Sequence, residues 1–520
     1  MKNLHEKLLE YYQISEEEFA NLSRPIEEIR LIEPTSIKGM NRVKSRIFEA
    51  IKNNDKILIY GDYDCDGISA TSIMFRTFQI LKYPANYYIP SRYQDGYGLN
   101  VKNVEKIADA GYKLIICVDN GVSQHEAIHL AKEKGIDVIV VDHHELPEQP
   151  TEAYEIIHPE YSGISEIYGS GGLMSLYVSA ALLGSYDEYL VTIAGLSVIS
   201  DLMELKGPNR DVVRLAVHYL NKRRFLPLKL LLDTPIIMEK SFGLEIAPKI
   251  NAIGRMLEDN KANLLVKYFT SNNENDVYSL CDWINVINQQ RKDLTKQTVE
   301  SLTIDYSKEA GICEIIHAKE GLIGLIANRL MNQYNVPTLI MTEDLLEPDI
   351  LKGSIRSKEG FNVVKAFKSL EKYLLTGGGH AFAGGLSIKK DDFDSFKHDF
   401  IALCEQYRFE EKEQPKIELD ITEITQENYE IIRQFAPFGQ GFKEPLFFIK
   451  NIPTKPLIFI SNGKHLATPL TIRSKLLGFN ISKDEVIQFP MIDVEGYFEL
   501  SLFRDTQTLE FRISRYFAHK

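Results

Sequence analysis

The chain has no Cys-x-x-Cys pair. Its five cysteines, Cys65, Cys117, Cys281, Cys313 and Cys404, are scattered. That excludes a structural zinc framework, and an odd number of isolated thiols suits a reducing cytosol rather than a disulfide scaffold. Nor is there an apolar run of ~18 residues, so no helix is expected to cross a membrane. The start, Met1 to Lys7, runs into an acidic helical pattern instead of the apolar core of a signal peptide, and a cytoplasmic protein is expected. Repeats and low-complexity tracts are missing too. So is an excess of positive charge: 60 Lys and Arg against 73 Asp and Glu leave a net charge of -13. A protein that simply coats nucleic acid is thereby disfavoured. A nuclease is not, because acids that hold cations count as negative until the cations bind.

What the chain does have is three apolar, strand-like runs, each ending in acids or histidines. Lys56 to Tyr60 precede Gly61-Asp62-Tyr63-Asp64-Cys65-Asp66-Gly67, Leu114 to Val118 precede Asp119-Asn120-Gly121, and Val138 to Val141 precede Asp142-His143-His144. In an open parallel sheet, ligands bind outside the carboxyl ends of the strands. One sheet edge would then gather at least five carboxylates and two imidazoles, which cannot share a small volume ionised unless cations neutralise them. The alternation of Asp62, Asp64 and Asp66 on an extended strand end would aim all three the same way. Gly67 would allow a tight turn into a helix starting near Ile68. Several Asp plus a His, without Cys, suit Mn²⁺ or Mg²⁺ rather than zinc, and a two-ion site would serve phosphoryl chemistry. Singly, each motif has a plainer reading: DxDxDG as a calcium loop or surface turn, Asp119 as a helix cap, the two histidines as a satisfied loop pair.

The fold class expected is α/β: a parallel-sheet domain at 51–270 after a helical lead-in at 1–50, a connecting helix at 271–305, a smaller α/β domain at 306–408 and a C-terminal β-barrel at 416–520. The apolar run from Glu188 to Ser200 delivers Asp201 to the interior. Residues 273–303 contain no Pro or Gly and carry Trp283, Ile284, Ile287, Leu294 and Val299 at near-helical spacing. Charged Glu410 to Pro415 reads as a linker.

The order and wording of GDYDCDG, VDNG and DHH resemble the first three motifs of the DHH phosphoesterases, and Asp201 in Ile199-Ser200-Asp201-Leu202-Met203 resembles the fourth. The resemblance implies metal ligands at Asp64, Asp66, Asp119, His143 and Asp201, with Asp119 bridging two ions. It implies an additional acid at Asp62, an orienting role for Asp142, and His144 as phosphate contact or proton donor. Further stretches are similar to the RecJ single-strand exonucleases. These are Pro90 to Leu99 with Arg92, Pro208-Asn209-Arg210, and Ile246 to Arg255 with Asn251 and Arg255. Gly353 to Ser357 with Ser354 and Arg356, and the GGGHAFAGG stretch with Gly378, Gly379 and His380, resemble the DHH-associated domain. Pro437 to Gly441 would open an OB-fold. The resemblance implies that Arg92, Asn251, Arg255, Ser354, Arg356, Gly378, Gly379 and His380 contact substrate.

Read from residues alone, the glycine-rich stretch is a loop whose amides could cradle phosphate, or a tight turn. Arg356 between two serines is a phosphate fork or a surface ion pair. Phe438, Phe442, Lys443, Lys464 and His465 are candidates for stacking and gripping a strand on the OB unit. The chain departs from RecJ proteins at Ala318-Lys319-Glu320, where they commonly carry Trp-His, so no ligand role is expected there. It also ends at the OB-like region, without the extra domain of longer members, and partner binding through such a domain is not expected.

The activity implied is a metal-dependent exonuclease that degrades single-stranded DNA from the 5′ end to mononucleotides in repair or recombination. Single-stranded DNA is the expected partner, with a single-strand-binding protein or a helicase as candidate protein partners, and no membrane. Two other readings stand beside it: a phosphodiesterase for short oligonucleotides or cyclic dinucleotides, and a non-catalytic DNA-binding replication scaffold. Deleting the chain after about residue 415 is expected to spare dinucleotide cleavage and cripple long-strand degradation.

Overall fold

The computed structural model describes residues 2–164, 168–302, 305–406, 414–503 and 506–519, whose strands form three sheets. The first contains β1 (Lys56–Tyr60), β2 (Asn86–Tyr88), β3 (Tyr112–Val118), β4 (Asp137–Val141) and β5 (Glu155–Ile157). It is parallel throughout, in the order β2-β1-β3-β4-β5. Alternate residues of its central strands enter two separate cores. Ile57, Ile59, Leu114, Ile116, Ile139 and Val141 pack into one, while Leu58, Tyr60, Ile115, Cys117, Val138 and Val140 pack into the other. Burial on both faces is why these strands are apolar at every position rather than at every second one. The chain order reverses between β1 and β3, and a switch point of this kind opens a crevice at the carboxyl ends of the strands.

The second sheet holds β6 (Ile312–Ile315), β7 (Thr338–Glu343), β8 (Ile350–Arg356), β9 (Leu374–His380) and β10 (Ala383–Lys389), in the order β6-β7-β8-β10-β9. Only β6 and β7 are parallel, joined by the helix Glu320–Tyr334; the remaining pairs are antiparallel. GGGHAFAGG is not a loop. Gly377, Gly378 and Gly379 lie in β9 and pair with Leu386, Gly385 and Gly384 of β10, so the stretch is a hairpin turning at Ala381 and Phe382. Side-chain-poor strands carry no apolar alternation, which is why the sequence reads as a loop there. The long helix spans Glu274–Ser301, buries Val277, Cys281, Ile284 and Ile287, and packs on the helices Ala247–Met256 and Glu320–Tyr334.

The third sheet holds β11 (Ile417–Leu419), β12 (Phe447–Pro453), β13 (Phe459–Ile460), β14 (His465–Pro469), β15 (Ser474–Gly478), β16 (Met491–Phe503) and β17 (Thr506–His519), in the order β11-β12-β16-β17-β15-β14-β13. Phe447, Phe498 and Phe511 meet edge-to-face in its core. Leu4 and Leu8, from the helix Leu4–Tyr12, belong to this same core. The N-terminal stretch is therefore not one lead-in. Its first helix packs with the C-terminal sheet, while the helix Met40–Asn53 packs on the first sheet through Met40, Val43 and Ile47. The linker expected at 410–415 lies, as far as 413, outside the described residues.

Candidate metal centre

The acids converge, but not by strand alternation. β1 ends at Tyr60, and the helix that follows begins at Cys65 with Asp64 as its N-cap, the Asp64 carboxylate accepting from the Gly67 amide at 3.0 Å. Asp66 lies in the first helical turn. The three acids are thus gathered by a helix N-terminus, whose unsatisfied amides and dipole favour negative charge. Gly67 serves close approach rather than a turn, since a Cβ there would lie 2.6 Å from the Asp62 carbonyl oxygen.

Asp66 is held by a second helix N-terminus. Its two oxygens accept from the amides of Gly171 (2.7 Å) and Gly172 (2.8 Å), and the Ser197 hydroxyl also donates to it. Those three residues were not singled out in the sequence. Ser170 as N-cap with Gly171 and Gly172 opening an apolar helix is the signal that would have found the two glycines; nothing in the sequence marks Ser197. Asp119 ends β3 with φ +60, a left-handed backbone that turns its carboxylate back over the strand ends.

Around the His143 imidazole the acids close in: Nε2 lies 3.1 Å from Asp119 Oδ1 and 3.5 Å from both Asp66 Oδ2 and Asp201 Oδ2. Asp62, Asp64 and Asp119 bring ligand atoms together in a neighbouring group, so Asp119 is common to both sides. Burial, and then the Asp64 charge, pushes Asp62 up to about 8. Burial, and then Asp66 and Asp64, pushes Asp201 up to about 9. Asp64 and Asp119 are raised by burial and by the Asp66 charge. Asp62 Oδ1 and Asp201 Oδ2 are buried without a hydrogen-bond partner. Crowded carboxylates with orphaned oxygens and a buried imidazole, with no thiolate among them, form a donor set that fits hard divalent cations such as Mn²⁺ or Mg²⁺.

Asp142 belongs to a different arrangement. It is fully buried and accepts from the amides of Val122 (3.1 Å) and His143 (2.8 Å) and from His144 Nδ1 (2.7 Å). Burial opposes its charge, but the His144 hydrogen bond and charge hold its carboxyl well below the usual range. The same pair acts on His144: against burial, Asp142 raises it to about 9, so its half-exposed ring is a cation at neutral pH. Tyr97 stands beside the ring, its hydroxyl 3.1 Å from His144 Nδ1 and donating to the Asp119 carbonyl.

Arginines face the acids. Arg92 lies over the Tyr63 ring at 4.4 Å, has a buried Nε without partner, and acts on Asp62 and Asp64 through its charge. Burial, then Arg92, Arg356 and Arg291, brings Arg255 down to about 10. Four guanidiniums therefore share one neighbourhood, and Arg291, on the long helix, was not foreseen. Asn251 accepts from the Cys65 amide (2.8 Å) and so braces the turn that carries Asp64. Arg356 donates to Ser354 Oγ at 3.0 Å. Gly378, Gly379 and His380 lie on exposed β9, and among the described residues no hydrogen bond or ion pair joins them to the acids. The two lobes touch where the Tyr93 hydroxyl donates to the Arg255 carbonyl (2.6 Å) and accepts from the Gly321 amide (3.2 Å). Phe438 and Phe442 offer no free stacking face on the OB unit: Phe438 is buried, and the half-buried Phe442 stacks on Tyr12 at 4.2 Å.

Comparison with known proteins follows the same division. Residues 56–211 match the model of the DHH family N-terminal domain, 311–406 the DHHA1 domain, and 416–515 the RecJ OB domain. The chain belongs to the RecJ family of DHH proteins. Among curated RecJ proteins, the single-stranded-DNA-specific exonuclease RecJ of Bacillus subtilis is 30% identical over 487 residues, covering 89% of this chain and 61% of that protein. The Haemophilus influenzae RecJ exonuclease is 28% identical, covering 80% of this chain and 78% of its own. The chain thus spans about three-fifths of the length of the Bacillus relative. In fold it is similar to the Thermus thermophilus RecJ crystallised with Mn²⁺, with TM-score 0.84, 22% identity, and coverage of 99% of this chain and 76% of that one.

Proposed function

We propose that this chain is a metal-dependent exonuclease that removes mononucleotides from the 5′ end of single-stranded DNA, in DNA repair or recombination in the cytoplasm. The observation that carries the reading is the pairing of a crowded, buried set of acids with Arg92 and Arg255 beside it, Arg255 in turn neighbouring Arg356 and Arg291: one side asks for cations, the other for phosphates. The names of the RecJ relatives support the substrate. In this reading Asp64, Asp66, Asp119, His143 and Asp201 would hold two ions, Mn²⁺ or Mg²⁺, with Asp119 shared between them. When bound, such ions supply Lewis acidity toward the phosphate and lower the pKa of the attacking water. Asp62 adds charge behind the ligands. Asp142 keeps His144 protonated and oriented, so that His144 grips a phosphate oxygen or gives its proton to the leaving group. Arg92, Arg255 and Arg356, with Ser354, hold the DNA strand's phosphates, and Arg291 joins them. Asn251 supports the Asp64 turn, and Gly378, Gly379 and His380 offer amides and an imidazole at the sheet edge. The proposed division is 51–270 for the DHH domain, 271–305 for the connecting helix, 306–408 for the DHH-associated domain and 416–520 for the OB-fold, with the lead-in 1–50 shared between first and last. A single-strand-binding protein or helicase would supply the strand.

Incubation with Mn²⁺ and single-stranded DNA labelled at either end tests this, with Asp119→Ala as control. Immediate mononucleotide release from the 5′ label, absent in the variant, is expected. Release first from the 3′ label refutes the polarity, and a blunt duplex degraded as fast as a single strand refutes the strand preference.

A further inference from the structure

Among the acids that would hold metal, Asp201 is held least directly. Asp66 has two amides and a hydroxyl, and Asp64 has the Gly67 amide. Asp201 Oδ2 is buried with no hydrogen-bond partner. The residue caps the carboxyl end of the helix Glu188–Ser200, where the dipole disfavours a carboxylate. Its position depends on the backbone of 201–206, which turns through a left-handed Leu202 (φ +55) into the helix Gly207–Lys222.

That turn rests on the C-terminal unit. The Leu205 amide donates to the Gln440 carbonyl at 2.9 Å. Gly439 lies so close to Leu205 that a Cβ there would stand 2.8 Å from Leu205 Cδ1. Arg210, only 2% exposed, donates from its two terminal nitrogens to the carbonyls of Phe435 (2.6 Å), Ala436 (2.8 Å) and Pro437 (3.0 Å). Its guanidinium lies 4.8 Å over the Phe442 ring, whose vicinity Tyr12 completes from the N-terminal helix. The Tyr12 hydroxyl closes the group by donating to the Lys443 carbonyl at 2.8 Å. Segments from both ends of the chain therefore meet behind one acid of the centre.

We propose that the 435–442 turn, locked by Arg210, Phe442 and Tyr12, positions Asp201 for metal binding, so that the OB unit and the first helix contribute to the chemistry and not only to holding a strand. This rests on the reading of Asp201 as a metal ligand. It also reverses the expectation that truncation near residue 415 spares short substrates.

The test uses full-length protein. Mn²⁺ affinity of the metal-free protein is measured by titration calorimetry, and kcat and KM are measured on a dinucleotide too short to reach the OB sheet. Phe442→Ala is expected to weaken Mn²⁺ binding about tenfold, the scale set by loss of support behind a metal ligand, and to lower dinucleotide kcat with KM unchanged. Phe442→Tyr should restore both, and Ile472→Ser, at a fully exposed OB tip, should change neither. If Phe442→Ala fails to fold, Gly439→Ala presses on Leu205 directly and should give the same loss. Wild-type Mn²⁺ affinity and kcat in a folded Phe442→Ala or Gly439→Ala protein overturn the proposal. Asp201→Asn separates the two readings. If it leaves Mn²⁺ affinity unchanged, Asp201 is not a ligand and both fall; if it weakens binding while the turn variants do not, only the positioning role falls.

Discussion

Replacing Asp119 by Asn should abolish activity and yet stabilise the metal-free protein. Asp119 is 2% exposed, lies 3.1 Å from His143, and is raised well above the carboxylate range by burial and then by Asp66, Asp64 and Asp201. Its folded-state pKa exceeds its unfolded value, so its contribution to stability is fully present below about pH 4 and is lost as pH rises toward the folded value. At ~1.4 kcal/mol per pH unit, the four units between about pH 4 and pH 8 cap the effect near pH 8 at about 5.5 kcal/mol, wherever above that the folded value lies. Neighbouring acids share the relief, so the rise in Tm stays below that cap, which is about 11–22 °C for a unit of ~200 residues. Asn keeps the shape and does not titrate. Thermal melts in EDTA should therefore place Asp119→Asn above wild type near pH 8, with the gap closing near pH 5. Added Mn²⁺ should raise wild type much more than the variant, because a ligand stabilises only the form that binds it. A variant less stable than wild type in EDTA at pH 8, or an equal Mn²⁺ response in both, would refute the reasoning that these acids are mutually costly until cations arrive.

Three other outcomes follow from the same geometry. In Gly171→Ala the new Cβ would lie 2.6 Å from Asp119 Cβ; activity should fall at least tenfold while Tm falls by only a few degrees, the ~1–3 kcal/mol of an overpacked buried site, as read by steady-state kinetics beside calorimetry. Asp142→Asn removes the bond that lifts His144 to about 9, so the alkaline limb of the kcat profile should move to lower pH; an unmoved limb would remove His144 from proton transfer. Arg433→Ala leaves Glu239, only 3% exposed, without its paired hydrogen bonds of 2.7 and 2.9 Å. A loss of about 3–5 kcal/mol and early proteolytic release of the C-terminal unit are expected.

Asp62, Asp119 and Asp142 were legible because each follows a strand buried on both faces, and burial on both faces writes an uninterrupted apolar run just before the functional residue; Asp201 was legible because it follows an apolar helix instead. What gathers them was not legible. Asp64 and Asp66 look alternate in sequence, but they converge as cap and first turn of a helix, and a capped helix and a frayed strand end can share the same letters. The GGGHAFAGG hairpin stayed hidden because strands without side chains show no period. Arg291 was passed over because a cation on a long, charged helix looks like solvent decoration until Arg255 is seen beside it.

Phe442 shows a different limit. As an aromatic in an OB-like unit it invites the role of a base-stacking platform, and chemistry alone supports that. Its actual neighbours, Tyr12 and Arg210, come from positions hundreds of residues away, and no local pattern announces such a meeting. An aromatic whose ring is stacked on a tyrosine and covered by an arginine is already occupied and is not free to stack a base. The same contact that removes it from the DNA surface ties it to the turn bearing Asp201, so the residue moves from substrate grip to support of the centre. A binding unit fused to a catalytic one need not act only through the substrate; where its loop forms the floor under a ligand, its removal alters the metal site itself.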